Sequence, residues 1–471
     1  MAYDPVLQEI ADYVLSARIE SEEAYQTARI ALMDSLACAA AATEHPECTK
    51  LLPPIGSAAA PDGVHVPATP YVTDPLHGAF AITALIRWLD YNDTWLAREW
   101  GHPSDNFGAI LAAAEYASRR RRRWGEAPYR IADVLTAAIK AYEIQGVLAL
   151  GVSLNRRGFD HVHFVKLASA AVATWLLGGG REEMLSALSN ALIDGAPLRT
   201  YRHFPNTGPR KSWAAADAAS RALWFAFLAL RGEPGYPTAA TAPVWGFEAV
   251  VLGGEPLRLE RPLGSYVMEN VLFKVAYPAE FHGQTAVEAA LRLHPLVRER
   301  LGELERIRIE TQEPAVRIID KPGPFRNPAD RDHSLQYMTA VALLYGELRY
   351  EHYLEPIASD PRIPELIAKM EVVENPEFSR AYLDPQRRSI ANAVQLFFRD
   401  GTQSERVVVE FPLGHRRRRQ EALPLLREKF QTALLRVYPE RKAERIYRLV
   451  AEDAGLPELP VDRFLEELAL P

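Results

Sequence analysis

The sequence is poor in cysteine, in lysine and in long apolar runs. Only Cys38 and Cys48 are present among 471 residues, and two thiols alone cannot hold an iron-sulphur cluster or a structural zinc ion. No apolar run approaches the roughly 18 residues that a membrane-spanning helix needs; one of the longest covers residues 223–230. We therefore expect neither a cluster-dependent mechanism nor a membrane span.

Positive charge in this chain comes mostly from arginine. Only nine of the 54 basic residues are lysine. A lysine inside a dense polar motif is therefore a candidate for chemistry, because its compact charge suits a single carboxylate oxygen. The formal net charge of -7 argues against a nucleic-acid partner, although arginine runs occur at residues 119–123 and 416–419. Such runs are typical of solvated helix faces.

The overall composition is that of a folded protein. Apolar residues make up 48% of the chain and charged residues 24%, which is the balance of soluble globular domains. A length of 471 residues exceeds what one hydrophobic core organises, and so predicts two or three domains. The first twenty residues carry acidic groups where a signal peptide has basic ones, so we expect a cytoplasmic protein.

The first 265 residues are predicted to form an all-α domain. Apolar residues recur there at spacings of three and four. Asp4-Pro5 and Asp74-Pro75 have the cap-then-proline pattern of helix starts. The predicted helices cover residues 21–42, 75–90, 107–121, 131–150, 164–177, 182–194 and 212–230.

Near residue 265 the pattern changes to strand spacing. Residues 303–311, 371–373 and 389–398 are predicted strands, and Asp400-Gly401 joins the last of them to a strand at 406–411 as a hairpin. Helices are predicted between and after these strands, at residues 283–294, 331–345, 421–437 and 440–454. The expected fold is therefore mainly α: a large, discontinuous all-α helical domain (residues 1–265 and 413–471) with a smaller inserted α+β lid domain (residues 266–412).

The densest cluster of acid/base groups is DYNDTWLAREWGHPSDN, residues 90–106. Its candidate residues are Asp90, Thr94, His102 and Ser104. An ordinary polar loop is the alternative, in which Asp93 or Thr94 caps a turn and Asn106 caps the next helix. A histidine beside proline that leads into a helix N-terminus able to hold a carboxylate favours a functional site.

A second cluster, GFDHVHFVK at residues 158–166, places His161 two residues before His163. This spacing is a weak metal signal without a third ligand at a diagnostic distance, and solvated or helix-capping histidines are the alternative. Lys211 opens a later helix, where it can face an anion or solvent.

Two further clusters lie in the α+β part. The segment FKVAYPAEFHGQ holds Lys274, Glu280 and His282, at the junction of the two predicted domains, where ligand clefts are common. The segment NPADRDHSLQY ends in Tyr337 and surrounds a helix start, for which acidic residues are also ordinary capping chemistry.

Together these motifs resemble the MmgE/PrpD family over nearly the whole chain, and in their GHPSDN and DRDHSLQY forms its 2-methylcitrate dehydratase branch. The resemblance implies an all-α domain with an α+β lid, a homodimer, and one cleft lined by histidine and lysine that needs no metal or cofactor. It also implies removal of water from 2-methylcitrate to give 2-methylaconitate in propionate catabolism (the methylcitrate cycle), with citrate or cis-aconitate as further substrates. The family's cis-aconitate decarboxylase and epimerase branches are the alternative activities.

The resemblance also assigns roles to residues. It implies that His102, Asp90 and His161 are catalytic. It implies that the substrate-binding residues are Thr94, Lys211, Lys274 and Tyr337, with Ser104 and His282 as further candidates. His282 does not align cleanly with the histidine of the decarboxylase branch. We expect His102 to be the principal proton-transfer residue, and the lysines to bind carboxylates.

Two other hypotheses compete with a metal-free lyase. Asp90 to Asp93 on a mostly helical fold resembles the acidic magnesium site of isoprenoid synthases, but that chemistry needs a second acidic motif, which the sequence does not offer. A helical scaffold or binding protein is the non-enzymatic alternative. Polar groups recurring at loops and helix starts favour the enzyme.

Overall fold

The computed structural model describes residues 2–55, 62–203 and 205–471. These residues divide into two compact units. Unit 1 comprises the described residues of 1–203, 210–272 and 426–471, and unit 2 comprises those of 204–209 and 273–425. Helices dominate the chain and sheets are small, so the predicted mainly α fold class is confirmed.

Unit 1 is built from helices that bury alanine-rich faces, which allow close helix packing. Two of their starts have side-chain caps: Ser21 accepts the Ala24 N–H, and Asp74 accepts the N–H groups of Leu76 and His77. Up to residue 272 the helices are α1 (Pro5–Ser16), α2 (Glu22–Ala42), α3 (Pro46–Thr49), α4 (Pro75–Arg87), α5 (Phe107–Arg123), α6 (Ile131–Gly151), α7 (Val162–Leu176), α8 (Arg181–Ile193), α9 (Arg210–Ala229), α10 (Phe247–Val250) and α11 (Tyr266–Asn270).

Two short antiparallel hairpins in unit 1 were not predicted. The first pairs β1 (Val64–His65) with β2 (Val72–Thr73), and the second pairs β3 (Trp95–Leu96) with β4 (Trp100–Gly101). Strands of two residues show no alternation in a sequence, because a period of two needs several residues to become visible.

Helix α6 is long and apolar enough to span a membrane by length and composition alone. However, 89% of its most apolar window is buried inside the protein. The helix therefore has the character of a core helix of unit 1.

Unit 2 contains a four-stranded sheet of strand order β6-β5-β7-β8, formed by β5 (Leu304–Thr311), β6 (Met370–Glu374), β7 (Asn392–Phe398) and β8 (Val407–Val409). Strand β5 is parallel to β6 and antiparallel to β7, and β7 forms the predicted hairpin with β8. Ile307 and Ile309 lie in the core of this unit. The helices between the strands are α12 (Gln284–Arg300), α13 (Glu313–Ile319), α14 (Pro328–Arg331), α15 (Leu335–Tyr345), α16 (Arg362–Ile367) and α17 (Pro376–Leu383).

The chain continues through α18 (Arg419–Val437), which begins in unit 2 and ends in unit 1, and then α19 (Glu440–Tyr447) and α20 (Val461–Leu468) in unit 1. This C-terminal part engages the first arginine run, at the end of α5. Arg119 pairs with Glu115 and Glu466, and Arg122 pairs with Asp462. These arginines therefore serve ion pairs within unit 1.

Candidate active site

The segment at residues 90–106 is folded by the β3/β4 hairpin. Trp95 is paired with Gly101, and the next residues outward, Thr94 and His102, face each other. Thr94 Oγ1 lies 3.4 Å from His102 Nδ1. Six of the residues predicted to carry function lie in unit 1: Asp90, Thr94, His102, Ser104, His161 and Lys211.

Asp93 fixes the shape of this segment. Its Oδ1 accepts hydrogen bonds from the Ser104 N–H (3.0 Å) and hydroxyl (2.6 Å), and its Oδ2 accepts the Tyr142 hydroxyl at 2.6 Å. Burial raises the pKa of Asp93 to about 6. Ser104 also accepts a hydrogen bond from Asn92 Nδ2 at 2.8 Å. Ser104 and Asp93 thus hold the loop through a buried polar network.

The capping interpretation of Asn106 is wrong. Its side chain makes no cap hydrogen bond at the start of α5. Instead its Nδ2 donates to the Pro103 carbonyl at 2.9 Å and to Gln145 Oε1 at 2.7 Å, while its Oδ1 accepts the Ser169 hydroxyl at 2.7 Å. These bonds tie the loop to the helices behind it.

His102 is oriented by the same loop. Its Nδ1 lies 2.7 Å from the Asp93 carbonyl oxygen, and since a carbonyl can only accept, Nδ1 carries a proton. Its Nε2 lies 3.7 Å from Asp90 Oδ1. A carboxylate at this distance stabilises an imidazolium, so the arrangement suits a histidine that accepts a proton at Nε2.

Asp90 occupies an unusual backbone position. Helix α4 was predicted to reach it but ends at Arg87, and Asp90 has a φ of 51°, in the left-handed region that few non-glycine residues adopt. Its carboxylate is in close contact with the Arg87 guanidinium. The left-handed residue ends the helical path and holds the carboxylate near His102.

His161 lies immediately before α7, with its ring centroid 5.8 Å from that of His102. Among the described residues, neither of its ring nitrogens has a hydrogen-bond partner, although both are buried. Burial lowers the pKa of His161 well below its ordinary value, against the opposing effect of Asp160. Burial therefore favours the neutral form of the His161 imidazole.

Arg202, which no sequence motif singles out, holds the charge of Asp160. Arg202 donates its Nε–H and Nη2–H groups to the two carboxylate oxygens, the second at 3.2 Å, and the Val162 N–H adds a third bond at 3.2 Å. Arginine neighbours keep the pKa of Asp160 far below its usual range despite complete burial. Asp160 thus remains ionised beside the neutral ring of His161, with Nδ1 of the ring 3.1 Å from Oδ1.

Lys211 lies in the first turn of α9 and is 5% exposed. The following turn supplies Ala214 and Ala215, which pack against Val162 at the start of α7. The start of α9 therefore packs against the start of α7.

The other predicted residues lie in unit 2. Lys274 is 1% exposed, and its charge is one of those that lower the pKa of Glu280, after those of His282 and His333. His282 is bonded at both ring nitrogens: Nδ1 lies 2.8 Å from Glu280 Oε1, and Nε2 lies 3.2 Å from the Tyr382 hydroxyl. His282 therefore belongs to a hydrogen-bonded network within this unit.

Tyr337 lies in the hydrophobic core of unit 2 and is 1% exposed. Its hydroxyl donates to the His352 carbonyl at 2.8 Å, and its ring packs against Phe325 and Tyr353. Its hydrogen bond and packing are those of a core tyrosine.

Comparison with known proteins gives full-length matches. The MmgE/PrpD N-terminal domain matches residues 8–260, and the MmgE/PrpD C-terminal domain matches residues 277–453. The chain is 52% identical to the 2-methylcitrate dehydratase of Escherichia coli (strain K12), over 98% of this chain and 97% of that protein. The chain belongs to the MmgE/PrpD family. It is also 51% identical to the 2-methylcitrate dehydratase of Cupriavidus necator (99% and 97% covered) and 47% identical to the mitochondrial one of Yarrowia lipolytica (98% and 90% covered).

The predicted residues of this MmgE/PrpD protein distribute over both matched segments. The N-terminal match contains His102, His161 and Lys211, whereas the C-terminal match contains His282 and Tyr337. Lys274 lies in the short stretch between the two matches.

Proposed function

We propose that this chain is a hydro-lyase that eliminates water from 2-methylcitrate to give 2-methylaconitate, a step of propionate catabolism. Relatives that are 45–52% identical over nearly the whole chain are named 2-methylcitrate dehydratases or probable ones. The observation that carries the chemistry is the pair of buried histidines in unit 1, whose ring centroids lie 5.8 Å apart and which each lie beside a carboxylate, His102 beside Asp90 and His161 beside Asp160.

Proton removal is the first requirement of the reaction. The carbon acid lies beside a carboxylate, and a base must accept its proton. We assign this role to His102 Nε2, because the Asp93 carbonyl fixes the proton of the neutral ring on Nδ1 and Asp90 stabilises the imidazolium that forms. Asp90 thus acts on His102 through its own negative charge and by helping to orient the imidazole ring.

Charge stabilisation is the second requirement. Deprotonation beside a carboxylate develops a dianionic aci-carboxylate, and cations placed where that charge grows lower the barrier. We propose Lys211 and Lys274 for this role, since both are almost completely buried in a chain whose default cation is arginine.

Departure of hydroxide is the third requirement. Burial favours the neutral form of His161, which keeps one N–H group, and we propose that this group donates a hydrogen bond to the leaving hydroxyl. The proton that His102 Nε2 accepted from carbon passes to this hydroxyl as its bond to carbon breaks, so water leaves, His102 returns to its neutral form and His161 keeps its N–H group. In this scheme no step requires a metal or a cofactor.

The remaining predicted residues receive supporting roles in this proposal. Thr94 contacts the His102 ring, and Ser104 fixes the loop through Asp93. We assign His282 and Tyr337 to the internal structure of unit 2, because their polar atoms are already bonded there.

We also propose that the enzyme is a cytoplasmic homodimer. An apolar surface suited to a partner copy includes Trp245, which is 84% exposed, and the exposed Val244 and Val250 nearby in the chain. Light scattering of the wild-type protein and of the Trp245→Ser variant tests this: the wild type should have the mass of two chains, and the variant should dissociate more readily.

The reaction is tested with 2-methylcitrate, citrate and cis-aconitate side by side, each with and without EDTA. We expect ultraviolet absorbance of an unsaturated product from 2-methylcitrate, at an unchanged rate in EDTA. Release of carbon dioxide from cis-aconitate without dehydration of 2-methylcitrate would instead indicate the decarboxylase activity, and complete loss of turnover in EDTA would contradict the metal-free mechanism.

A further inference from the structure

Arg199 is a buried cation in unit 1 with an unbonded guanidinium nitrogen. It is 6% exposed, and its Nη1 is fully buried without a hydrogen-bond partner in the described part of the chain. The ring centroid of Trp100 lies 5.8 Å from its guanidinium carbon. A guanidinium removed from water is costly unless an anion or an acceptor meets it.

Arg202 lies close to Arg199 in the chain and, unlike Arg199, has its guanidinium hydrogen-bonded to a carboxylate. Arg199 and Arg202 are the first and last residues of one 3-10 helix, Arg199–Arg202, and side chains three residues apart eclipse each other on such a helix. Arg202 binds both oxygens of Asp160. Because Asp160 is already bound by Arg202, the Arg199 guanidinium needs a different acceptor.

Glu99 is a second acid near Arg199, and one of its two carboxylate oxygens is bonded elsewhere, while its Oε1 is buried without a hydrogen-bond partner among the described residues. Its Oε2 accepts both the Asn155 N–H at 2.7 Å and the Asn155 side-chain N–H at 2.8 Å. Burial raises the pKa of Glu99 to about 7, with Arg199 as the main opposing influence. Glu99 and Arg199 form no ion pair among the described residues, although each influences the pKa of the other.

Arg199 is also close to the proposed chemistry. The Arg199 N–H donates to the Gly158 carbonyl at 2.9 Å, and the Asp160 N–H donates to the Pro197 carbonyl at 2.8 Å, so the segment that ends in Arg199 lies beside the segment that leads to His161. The charge of Arg199 is also one of those that lower the pKa of His161, whose two ring nitrogens have no hydrogen-bond partner among the described residues. The guanidinium and the imidazole thus have unbonded polar atoms on neighbouring segments of unit 1.

We propose that Arg199 is a substrate-binding residue that holds one carboxylate of a tricarboxylate beside His161; this inference rests on the proposed function. Guanidinium groups match carboxylates in geometry and remain charged when buried. Lys211 and Lys274 are proposed for the charge that develops in the reaction, and Arg199 supplies a further cation for a substrate with three negative groups.

The kinetic test compares Arg199→Gln and Arg199→Lys with the wild type. Loss of a charge-assisted hydrogen bond predicts a rise in KM of about 10- to 100-fold for Arg199→Gln, with a smaller change in kcat. Arg199→Lys should recover part of the affinity. Arg181→Gln is the matched control, because Arg181 is exposed and pairs with Asp12 on the surface; its KM should equal that of the wild type.

Calorimetric binding of tricarballylate, a tricarboxylate without the hydroxyl group, separates this inference from the proposed reaction. We expect Arg199→Gln to bind it at least 10-fold more weakly at an unchanged melting temperature. If the wild type binds tricarballylate but does not dehydrate 2-methylcitrate, and the variant has lost binding, the reaction is wrong and the role of Arg199 stands.

Three results would overturn the inference. The first is a KM and a tricarballylate affinity of Arg199→Gln within twofold of the wild type. The second is a wild-type protein that neither binds tricarballylate nor turns over 2-methylcitrate, which also overturns the proposed function. The third is an Arg199→Gln protein as destabilised as Arg202→Gln, because Arg199 would then hold the fold as its neighbour does.

Discussion

Both units of this protein place a buried histidine beside an acid, and the two arrangements differ in how the acid is used. In unit 1, Asp160 is bound by Arg202, and neither ring nitrogen of His161 makes a hydrogen bond among the described residues, although Nδ1 lies 3.1 Å from Asp160 Oδ1. In unit 2, Glu280 is bonded to His282 itself, and the Tyr382 hydroxyl lies 3.2 Å from the second ring nitrogen. In the sequence, both places show an acidic residue followed closely by a histidine.

We infer from this difference that the histidine of unit 1 is reactive and that of unit 2 is structural. A histidine bonded at both nitrogens has its donor and acceptor engaged, so it has little capacity to exchange a proton with a ligand. His161, whose acidic neighbour is held by an arginine, keeps Nε2 without a hydrogen-bond partner among the described residues. We therefore expect substitutions in unit 1 to change turnover, and substitutions around His282 to change stability.

The largest expected effect is that of His102→Ala. Loss of a positioned general base predicts a kcat lower by about 10²- to 10⁴-fold. The Asp93 carbonyl orients the His102 ring through Nδ1, and Asp90 lies beside Nε2, the nitrogen that accepts the proton. Steady-state assays with 2-methylcitrate measure kcat, and thermal unfolding measured alongside should show a small change. A variant with wild-type turnover contradicts the role of His102.

His282→Ala is the matched variant in unit 2. It leaves the buried Glu280 without its bonded histidine, and we expect a free energy of unfolding lower by roughly 3–5 kcal/mol. Turnover per folded molecule should stay within a few-fold of the wild type. Chemical denaturation combined with activity measurements checks both predictions. A variant that is stable but inactive would indicate that His282 takes part in the reaction.

The acids behind His102 predict a pH dependence of stability. Burial raises the pKa of Asp105 from 3.8 to about 7. Between about pH 4 and pH 7 the folded protein therefore binds a proton at Asp105 that the unfolded chain has released, so the free energy of unfolding falls as the pH rises.

The Asp105→Asn variant has no titrating group at this position, so its stability should depend less on pH. We expect the wild type to lose roughly 2–4 kcal/mol more than the variant over this interval. Urea unfolding at pH 5 and pH 8 measures the difference, and parallel pH profiles for the two proteins would show that Asp105 is ionised in the folded state.

The smallest expected effect concerns Tyr337. Tyr337→Phe removes a hydroxyl that donates to the His352 carbonyl and should lower the free energy of unfolding by about 1 kcal/mol. The KM for 2-methylcitrate should stay within twofold. A large rise in KM at unchanged stability would restore the role in substrate binding that the family resemblance implies.

Much of the secondary structure was predictable, because the long helices and the β5, β7 and β8 strands carry clear periodicity. Helix α4 shows the limit: its apolar pattern continues to Asp90, but the helix ends at Arg87 and Asp90 has a positive φ. The β3/β4 hairpin escaped prediction because its strands have two residues each.

The candidate site was only partly predictable. Local density of polar residues identified the segment of His102, but the partner that fixes this segment, Tyr142, lies 49 residues from Asp93 in the sequence. Arg199 and Arg202 stand among many arginines, so composition gave no reason to select them. The family resemblance implies that His282 and Tyr337 bind substrate, but residue type alone does not show that their polar atoms are bonded within unit 2.

Exchange of solvent deuterium into the substrate pool tests most directly whether His102 removes the proton from the substrate. Wild-type enzyme in D₂O should incorporate deuterium into 2-methylcitrate at the carbon that loses its proton, and His102→Ala, still folded and still able to bind tricarballylate, should not. Undiminished deuterium incorporation by His102→Ala would contradict the account and assign the proton transfer to another residue.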